Sequence, residues 1–308
     1  MLKLNSCIGL AVSISLLLLQ GCLKLVSDEF PHFPEKPTVN AFLRAGDSLQ
    51  VNLTFATTID TSDIKVVDNA KIELYVDNQF VQELKYINNG NYKSTTIVEP
   101  GKEYKCIIIV PGSDTIKCRQ LVPDITPVLK VEYIDSAGFD EESNVYYAFK
   151  LTFPNDKTKD NYFEIDHKNI IEKSDDNTPV TYSSKYMVAV EDPVFLNEGI
   201  NRSIFSDELL QDPTYTIHYN FYRSYNRIMI NDGVRTKNAY PEYIEFRSVS
   251  EDYYRYIKQL ELYNQGRYSG FEGTLTAFPL YSNIENGYGI FAAYTYALTD
   301  TIYPSYAY

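Results

Sequence analysis

From Thr38 to Pro123 apolar and polar residues alternate in short runs broken by turn residues. Val51, Leu53 and Phe55 alternate with Asn52 and Thr54, and Ile72, Leu74 and Val76 with Glu73 and Tyr75, the period of two of a half-buried strand. The pattern predicts strands over Val39–Leu43, Leu49–Phe55, Ala70–Val76, Phe80–Tyr86, Asn91–Ile97, Tyr104–Val110 and Thr115–Leu121. Asp77-Asn78 and Asn88-Asn89-Gly90 supply residues that tolerate the positive φ of tight hairpins. Short strands at this spacing predict an antiparallel β-sandwich. Pro123 to Pro127 reads as a domain boundary. Beyond it strands are expected over Val128–Ile134, Val145–Phe153, Tyr162–His167, Tyr186–Val190, Tyr215–Phe221, Tyr243–Phe246, Thr274–Phe278 and Ile290–Ala297. One helix interrupts them near 251–264: Ser250 can cap it, Tyr253, Ile257 and Leu260 follow a helical period, and Gly266 is placed to end it.

The amino terminus carries a different pattern. An apolar run from Ile8 to Leu19 follows Lys3 and ends at Leu19-Gln20-Gly21-Cys22. A basic start, a short apolar stretch and a small residue before the cut are the parts of a secretory signal, and the run is too short to span a bilayer as a mature helix. A cysteine just after the small residue is what lipoprotein processing acylates, so residues 1–21 are expected to leave and Cys22 to carry the lipid. Residues 22–37, with prolines at 31, 34 and 37, form an extended tether. The expected partner of this end is a lipid bilayer.

Composition narrows the function. A hydrophobic fraction of 44% and a charged fraction of 22% are those of a globular protein, so the chain has enough apolar surface for real cores. The net charge of −13 leaves no basic stripe for nucleic acid. Of four cysteines, Cys7 lies in the signal and Cys22 is the lipid site, leaving Cys106 and Cys118 on either side of the turn Pro111-Gly112-Ser113-Asp114. If Val110 pairs with Asp114 the two thiols share a face and are candidates for a disulfide; if Val110 pairs with Thr115 they lie on opposite faces.

Several segments then look familiar: Gly90-Asn91-Tyr92 and Pro100-Gly101-Lys102-Glu103-Tyr104 in the first sandwich, Ser250-Glu251-Asp252-Tyr253-Tyr254-Arg255-Tyr256 at the helix, and Ser282-Asn283-Ile284-Glu285-Asn286-Gly287-Tyr288-Gly289-Ile290-Phe291 near the end. With the Cys22 signal, this order resembles the Bacteroidota lipoproteins grouped as domain of unknown function 4249. That resemblance implies a surface lipoprotein of the outer membrane, encoded near TonB-dependent transporters and accessory to uptake. It carries over no catalytic residue, because the family has no established reaction. The opening repeat of Gly-x-Tyr and Pro-Gly-x-x-Tyr is also that of immunoglobulin-like and carboxypeptidase-regulatory-like sandwiches.

Candidate chemistry is sparse. Gly46-Asp47-Ser48-Leu49 has the letters of a lipase motif but sits between two strands, and none of His32, His167 and His218 has an aspartate three positions before it. The two strand histidines read as solvated or capped. Asp140-Glu141-Glu142 and Asp175-Asp176 lack the ordered ligands of a calcium loop and read as wet loops. No metal site and no cofactor are expected. Tyrosine is abundant, 28 residues with no tryptophan, so an exposed cluster near the carboxyl end would suit a sugar or a protein partner, while the same rings could equally fill a sandwich core. Gly287 and Gly289 permit either a tight ligand loop or a bulge leading into a strand. The candidate contact residues are therefore Tyr281, Asn283, Asn286, Gly287, Tyr288 and Gly289.

The expected protein is mainly β, with a sandwich over 38–123 and a second β-rich domain with one helix over 124–308. It is expected to be a non-enzymatic binding or accessory lipoprotein of the outer membrane, on the cell surface or its periplasmic side. The alternatives are a surface hydrolase with a glycosidase-like carboxylate pair and a purely structural envelope protein.

Overall fold

The alternation at the start of the chain becomes two faces of one hairpin. β1 (Pro37–Arg44) and β2 (Ser48–Phe55) bury Val39, Ala41, Leu43, Leu49, Val51 and Leu53 on one side and turn Asn40, Phe42, Arg44, Gln50 and Asn52 to the other. A computed structural model describes residues 35–56, 64–172, 179–185, 187–223, 225–231, 234–268 and 280–304. Cys22 and the signal lie outside the described residues, as do His32, Asp175-Asp176 and the strand expected over Thr274–Phe278.

The chain continues through β3 (Lys71–Val76), β4 (Gln79–Glu83), β5 (Lys85–Asn88), β6 (Asn91–Ile97), β7 (Glu103–Ile109) and β8 (Ile116–Leu121). Phe80–Tyr86, expected as one strand, is two: the chain dips at buried Leu84, leaving β4 in one sheet and β5 in the other. Then come β9 (Lys130–Phe139), β10 (Val145–Pro154), β11 (Tyr162–Glu172), β12 (Pro179–Ser184), α1 (Pro193–Glu198), β13 (Ile204–Ser206), β14 (Thr214–Phe221), β15 (Tyr225–Asn231), β16 (Val234–Ala239), β17 (Glu242–Val249), α2 (Glu251–Tyr268) and β18 (Tyr288–Leu298). Residues 187–190, inside the strand expected over Tyr186–Val190, are irregular; Asn220 Nδ2 donates to the Ala189 carbonyl at 2.8 Å, and Ala189 has a φ of 42°. Asp192 caps α1, accepting from Val194 N at 3.0 Å ahead of Pro193 in the first turn. Ser250 caps α2 as expected, accepting from Tyr253 N at 3.3 Å, but the helix runs past Gly266 to Tyr268.

The organising element is a nine-stranded sheet in the order β12-β11-β17-β18-β1-β2-β6-β5, with β13 also paired to β11. All of its pairings are antiparallel except β18 with β1. Two smaller sheets back it on one face. The sheet β4-β3-β7-β8 closes a core with β1, β2 and β6 around Val51, Leu53, Ile72, Leu74, Tyr92, Tyr104 and Phe291. The sheet β14-β10-β9 closes an aromatic core with β11 and β17 around Phe149, Phe153, Phe163, Tyr219, Phe221 and Phe246. The 123–127 link thus separates the two backing sheets and their cores, while the long sheet runs across it and the described residues form one compact unit.

On the opposite face lies α2, whose Tyr253 and Ile257 pack on Val249, Ile290 and Ala292. The parallel junction beneath it requires a glycine. At Gly289 φ is 102°, and a Cβ would stand 2.0 Å from the Val39 carbonyl oxygen, so no side chain fits where β18 meets β1.

Candidate functional site

The face of the long sheet that carries α2 is polar on either side of the apolar patch under that helix, and its two ends differ. At the β11–β17 end, alternation along each strand brings Glu164, Asp166, Glu245 and Arg247 to this face, with Glu164 opposite Arg247 and Asp166 opposite Glu245 in the ladder. Arg247 reaches Glu164 Oε2 through Nη1 at 2.8 Å and Glu245 Oε1 through Nε at 2.7 Å, and pairs with Asp166 through Nη2. Arg202 meets Glu164 Oε1 at 2.9 Å, Lys185 meets Glu164 Oε2 at 3.2 Å and Lys168 meets Asp166 at 2.7 Å. Tyr253 on α2 donates to Glu164 Oε2 at 2.8 Å.

Burial opposes ionisation of Glu164, but Lys185, Arg247 and Arg202 outweigh it and hold its pKa down at about 2. Burial likewise works against the Arg247 charge, and Glu164, Tyr253, Asp166 and Glu245 raise its pKa regardless. Lys185 is pushed the other way, below the ordinary lysine range, chiefly by burial. A carboxyl held so low is a poor proton donor at neutral pH, so Glu164 does not suit the acid of a glycosidase pair. Another buried carboxylate, Glu198, ties α1 to α2, accepting from Tyr254 OH at 2.5 Å and Lys258 Nζ at 2.7 Å.

Arg44 carries the lattice outward. Its Nη2 lies 3.4 Å from Glu245, its guanidinium stacks 4.1 Å from the centre of the Tyr296 ring, and its Nη1 meets Asp47 at 3.2 Å in the β1–β2 turn. Beyond it the face opens into a groove of about 260 Å³ lined by Asn40, Phe42, Arg44, Asp47, Ser48, Gln50, Asn52 and Asn91. The ladder sets Asn40 directly opposite Asn52, and Asn52 opposite Asn91, so three carboxamides stand in a row across β1, β2 and β6. Asn52 Nδ2 donates to Asn91 Oδ1 at 2.9 Å and to the Asn89 carbonyl at 3.1 Å. Gly90 holds that corner, since a Cβ there would lie 2.3 Å from the Leu53 oxygen. Among the described residues the side chains of Asn40 and Gln50 make no hydrogen bond. Phe42 closes the groove toward α2, its ring 5.4 Å from that of Tyr253 and 5.9 Å from that of Tyr256, and remains 42% exposed.

The residues singled out from the sequence fall elsewhere. Asn283 clasps the main chain of Phe291, donating from Nδ2 to its carbonyl at 2.8 Å and accepting from its N–H at 2.9 Å. Asn286 Nδ2 donates to the Thr115 carbonyl at 3.0 Å, and Glu285 bridges to Lys117 of β8. Gly287 sits against Ile284 and the Pro37 carbonyl. This segment pins β18 against β8 and β1, and the carboxamides of Asn283 and Asn286 are committed to the fold. Tyr281 donates to Asp252 at the start of α2, and Tyr288 is exposed with Lys36 5.5 Å from its ring centre. Four of the carboxyl-terminal tyrosines serve the charged groups: Tyr253 and Tyr254 donate to carboxylates, while Tyr294 and Tyr296 lie beneath Arg247 and Arg44.

Cys106 stands directly opposite Cys118, the register in which Val110 would meet Asp114; both are buried free thiols, with Cys118 Sγ 3.9 Å from the Cys106 carbonyl. Ser48 opens β2 after a turn in which Asp47 N donates to the Arg44 carbonyl at 3.1 Å. His218 is exposed on β14, whereas His167, expected to be solvated or capped, is buried, with Nε2 3.1 Å from Glu242 and its ring centre 4.3 Å from that of Phe221. Both faces of β11 are covered, which is why no solvent reaches it. Asp140 organises its own loop, accepting from Tyr222, from the N–H groups of Glu142 and Asn144 at 2.9 and 2.7 Å, and from the Asn144 amide at 3.0 Å. Among the described residues no group of three or more His, Cys, Asp or Glu could hold a metal ion, and no helix is long and apolar enough to cross a membrane.

These features define a β-sandwich protein in which two cores share one long sheet, with a polar groove on the sheet's outer face. The chain belongs to the family described as Domain of unknown function (DUF4249), whose model matches residues 24–299. No curated protein matches it. Among solved structures it is similar to a chain of a cytokine receptor complex, at 10% identity over 68% of this chain and 82% of that one, with a TM-score of 0.21. That score carries no argument.

Proposed function

We propose that this protein is a lipid-anchored, non-enzymatic binding component of the outer membrane that works beside a TonB-dependent transporter. The observation that carries the binding part is the groove: a row of carboxamides and a half-exposed aromatic ring in a rigid sheet, with the neighbouring charges neutralised by one another. The carboxamides of that row hydrogen-bond and the ring stacks, which suits holding a ligand in place. The anchoring part rests on the signal ending at Gly21-Cys22 and the proline-rich tether. The transporter part rests on the resemblance described above. Metabolic labelling with a fatty acid should mark the protein and spare Cys22→Ala, and capture from solubilised outer membrane should recover a transporter barrel. Labelling that survives the substitution, or capture of free lipoprotein alone, would overturn the proposal.

A further inference from the structure

Asparagine is depleted in strands because its short polar side chain packs badly there and competes for main-chain hydrogen bonds. Three of them nevertheless stand side by side across adjacent strands of the long sheet, at Asn40, Asn52 and Asn91. Where a chain breaks a local rule in a well-ordered element, function is a leading reason. Neighbouring strands lie about 4.8 Å apart, so the row spans about 10 Å, the footprint of a disaccharide.

Each carboxamide offers both donors and an acceptor, which matches the hydroxyl groups of a sugar, themselves donors and acceptors. The carboxamides of Asn40 and Gln50 have no partner among the described residues, and the Asn52–Asn91 hydrogen bond leaves Asn52 Oδ1 and Asn91 Nδ2 without one there, so a ligand would gain hydrogen bonds at these atoms without breaking internal ones. Phe42 supplies a half-exposed ring at the end of the row for the apolar face of a pyranose. Arg44 is answered by Asp47 and Glu245, so the groove selects for no charge. A peptide would more naturally add to a sheet edge, whereas β1 and β2 are interior strands that present only side chains.

We infer that the groove on β1, β2 and β6 is a binding site for a neutral oligosaccharide, with Asn40, Asn52 and Asn91 reading hydroxyls and Phe42 stacking on a sugar ring. This rests on the binding role proposed above and names its ligand class. The test titrates the purified full-length protein, in detergent, with hexasaccharides of β-1,4-glucose, α-1,4-glucose, mannose and xylose, and with a neutral peptide of similar length.

At least one saccharide should bind with an affinity that is unchanged by added salt, and Asn40→Ala and Phe42→Ala should each weaken it about tenfold or more, Asn40→Ala with the unfolding curve in place. No binding of any saccharide at millimolar concentration, binding untouched by both substitutions, or saturable binding of the peptide alone would overturn the inference. Recovery of a transporter barrel together with no saccharide binding would end this inference and leave the accessory role standing. Saccharide binding without a barrel would do the reverse.

Discussion

Two ends of the same sheet face handle polar side chains in opposite ways. Under α2 the polar groups are charged, dry and paired with opposite charge: Glu164 and Asp166 are fully buried, and each is met by more than one cation, with Asp166 Oδ1 alone of their oxygens lacking a hydrogen bond among the described residues. Three strands away the polar groups are neutral, wetted and partly unanswered. The contrast follows from what each kind of group costs when left alone. An unpaired buried charge is costly enough that the fold surrounds it, whereas an unpaired carboxamide in water costs almost nothing and stays available. The lattice therefore belongs to the architecture, fixing α2 and the Lys185 and Arg202 segments on the sheet, and the groove is the part free to meet something else.

The lattice should break hardest. Removing Arg247 strips Glu164, Asp166 and Glu245 of the cation they share, and deleting one partner of a buried ionic group typically costs about 3–5 kcal/mol. Arg247→Met is expected to lower the stability read by urea unfolding by that amount. A loss below about 1 kcal/mol would mean that water enters the lattice and the two ends are alike.

Next in size is a dependence on acid. Glu164 has a folded pKa depressed to about 2, below the ordinary glutamate value of 4.5. The unfolded chain therefore binds more protons than the folded one between those values. The contribution of Glu164 is present in full above the unfolded pKa and is lost as pH falls through the folded one. Unfolding followed from pH 6 down to about pH 2 should show the wild-type protein losing more stability than Glu164→Gln. Parallel curves for the two proteins would remove Glu164 from the lattice's account.

How much of this was legible beforehand divides along the same line. The strands of the first sandwich and the cap at Ser250 were readable because period and capping are local. The long sheet was not, since its central parallel pairing joins Thr38 to Tyr288 and nothing near either residue announces the other. The lattice was half visible: Tyr162-Phe163-Glu164-Ile165-Asp166 and Tyr243-Ile244-Glu245-Phe246-Arg247 show clean alternation, which reads as one dry and one wet face. Only α2 and the intervening loops make the second face dry. The glycines of the Asn283–Gly289 segment left a ligand loop and a bulge both open from the sequence; what Gly289 makes room for is the Val39 carbonyl of β1, a neighbour the sequence does not announce. The asparagine row had a signal that could have been used. Asn40, Asn52 and Asn91 each sit against strand propensity, but only the register places them together.

The smallest effect is the sharpest test of the wet end. If Asn40 is kept for a ligand and contributes nothing to the fold, a residue better suited to a strand should be tolerated or even preferred there. Threonine is β-branched and keeps a hydroxyl, and the β-propensity scale as a whole spans about 1 kcal/mol. Asn40→Thr is therefore expected to leave stability unchanged or raise it by less than about 1 kcal/mol, measured by urea unfolding with an unchanged denaturant slope. Stabilisation would mean that the native residue is held at a position where the fold alone prefers another, as expected of a site maintained for binding. A loss greater than about 1 kcal/mol would instead show that the Asn40 carboxamide has a structural partner, and the contrast between the two ends of the face would fail at the residue where it is plainest.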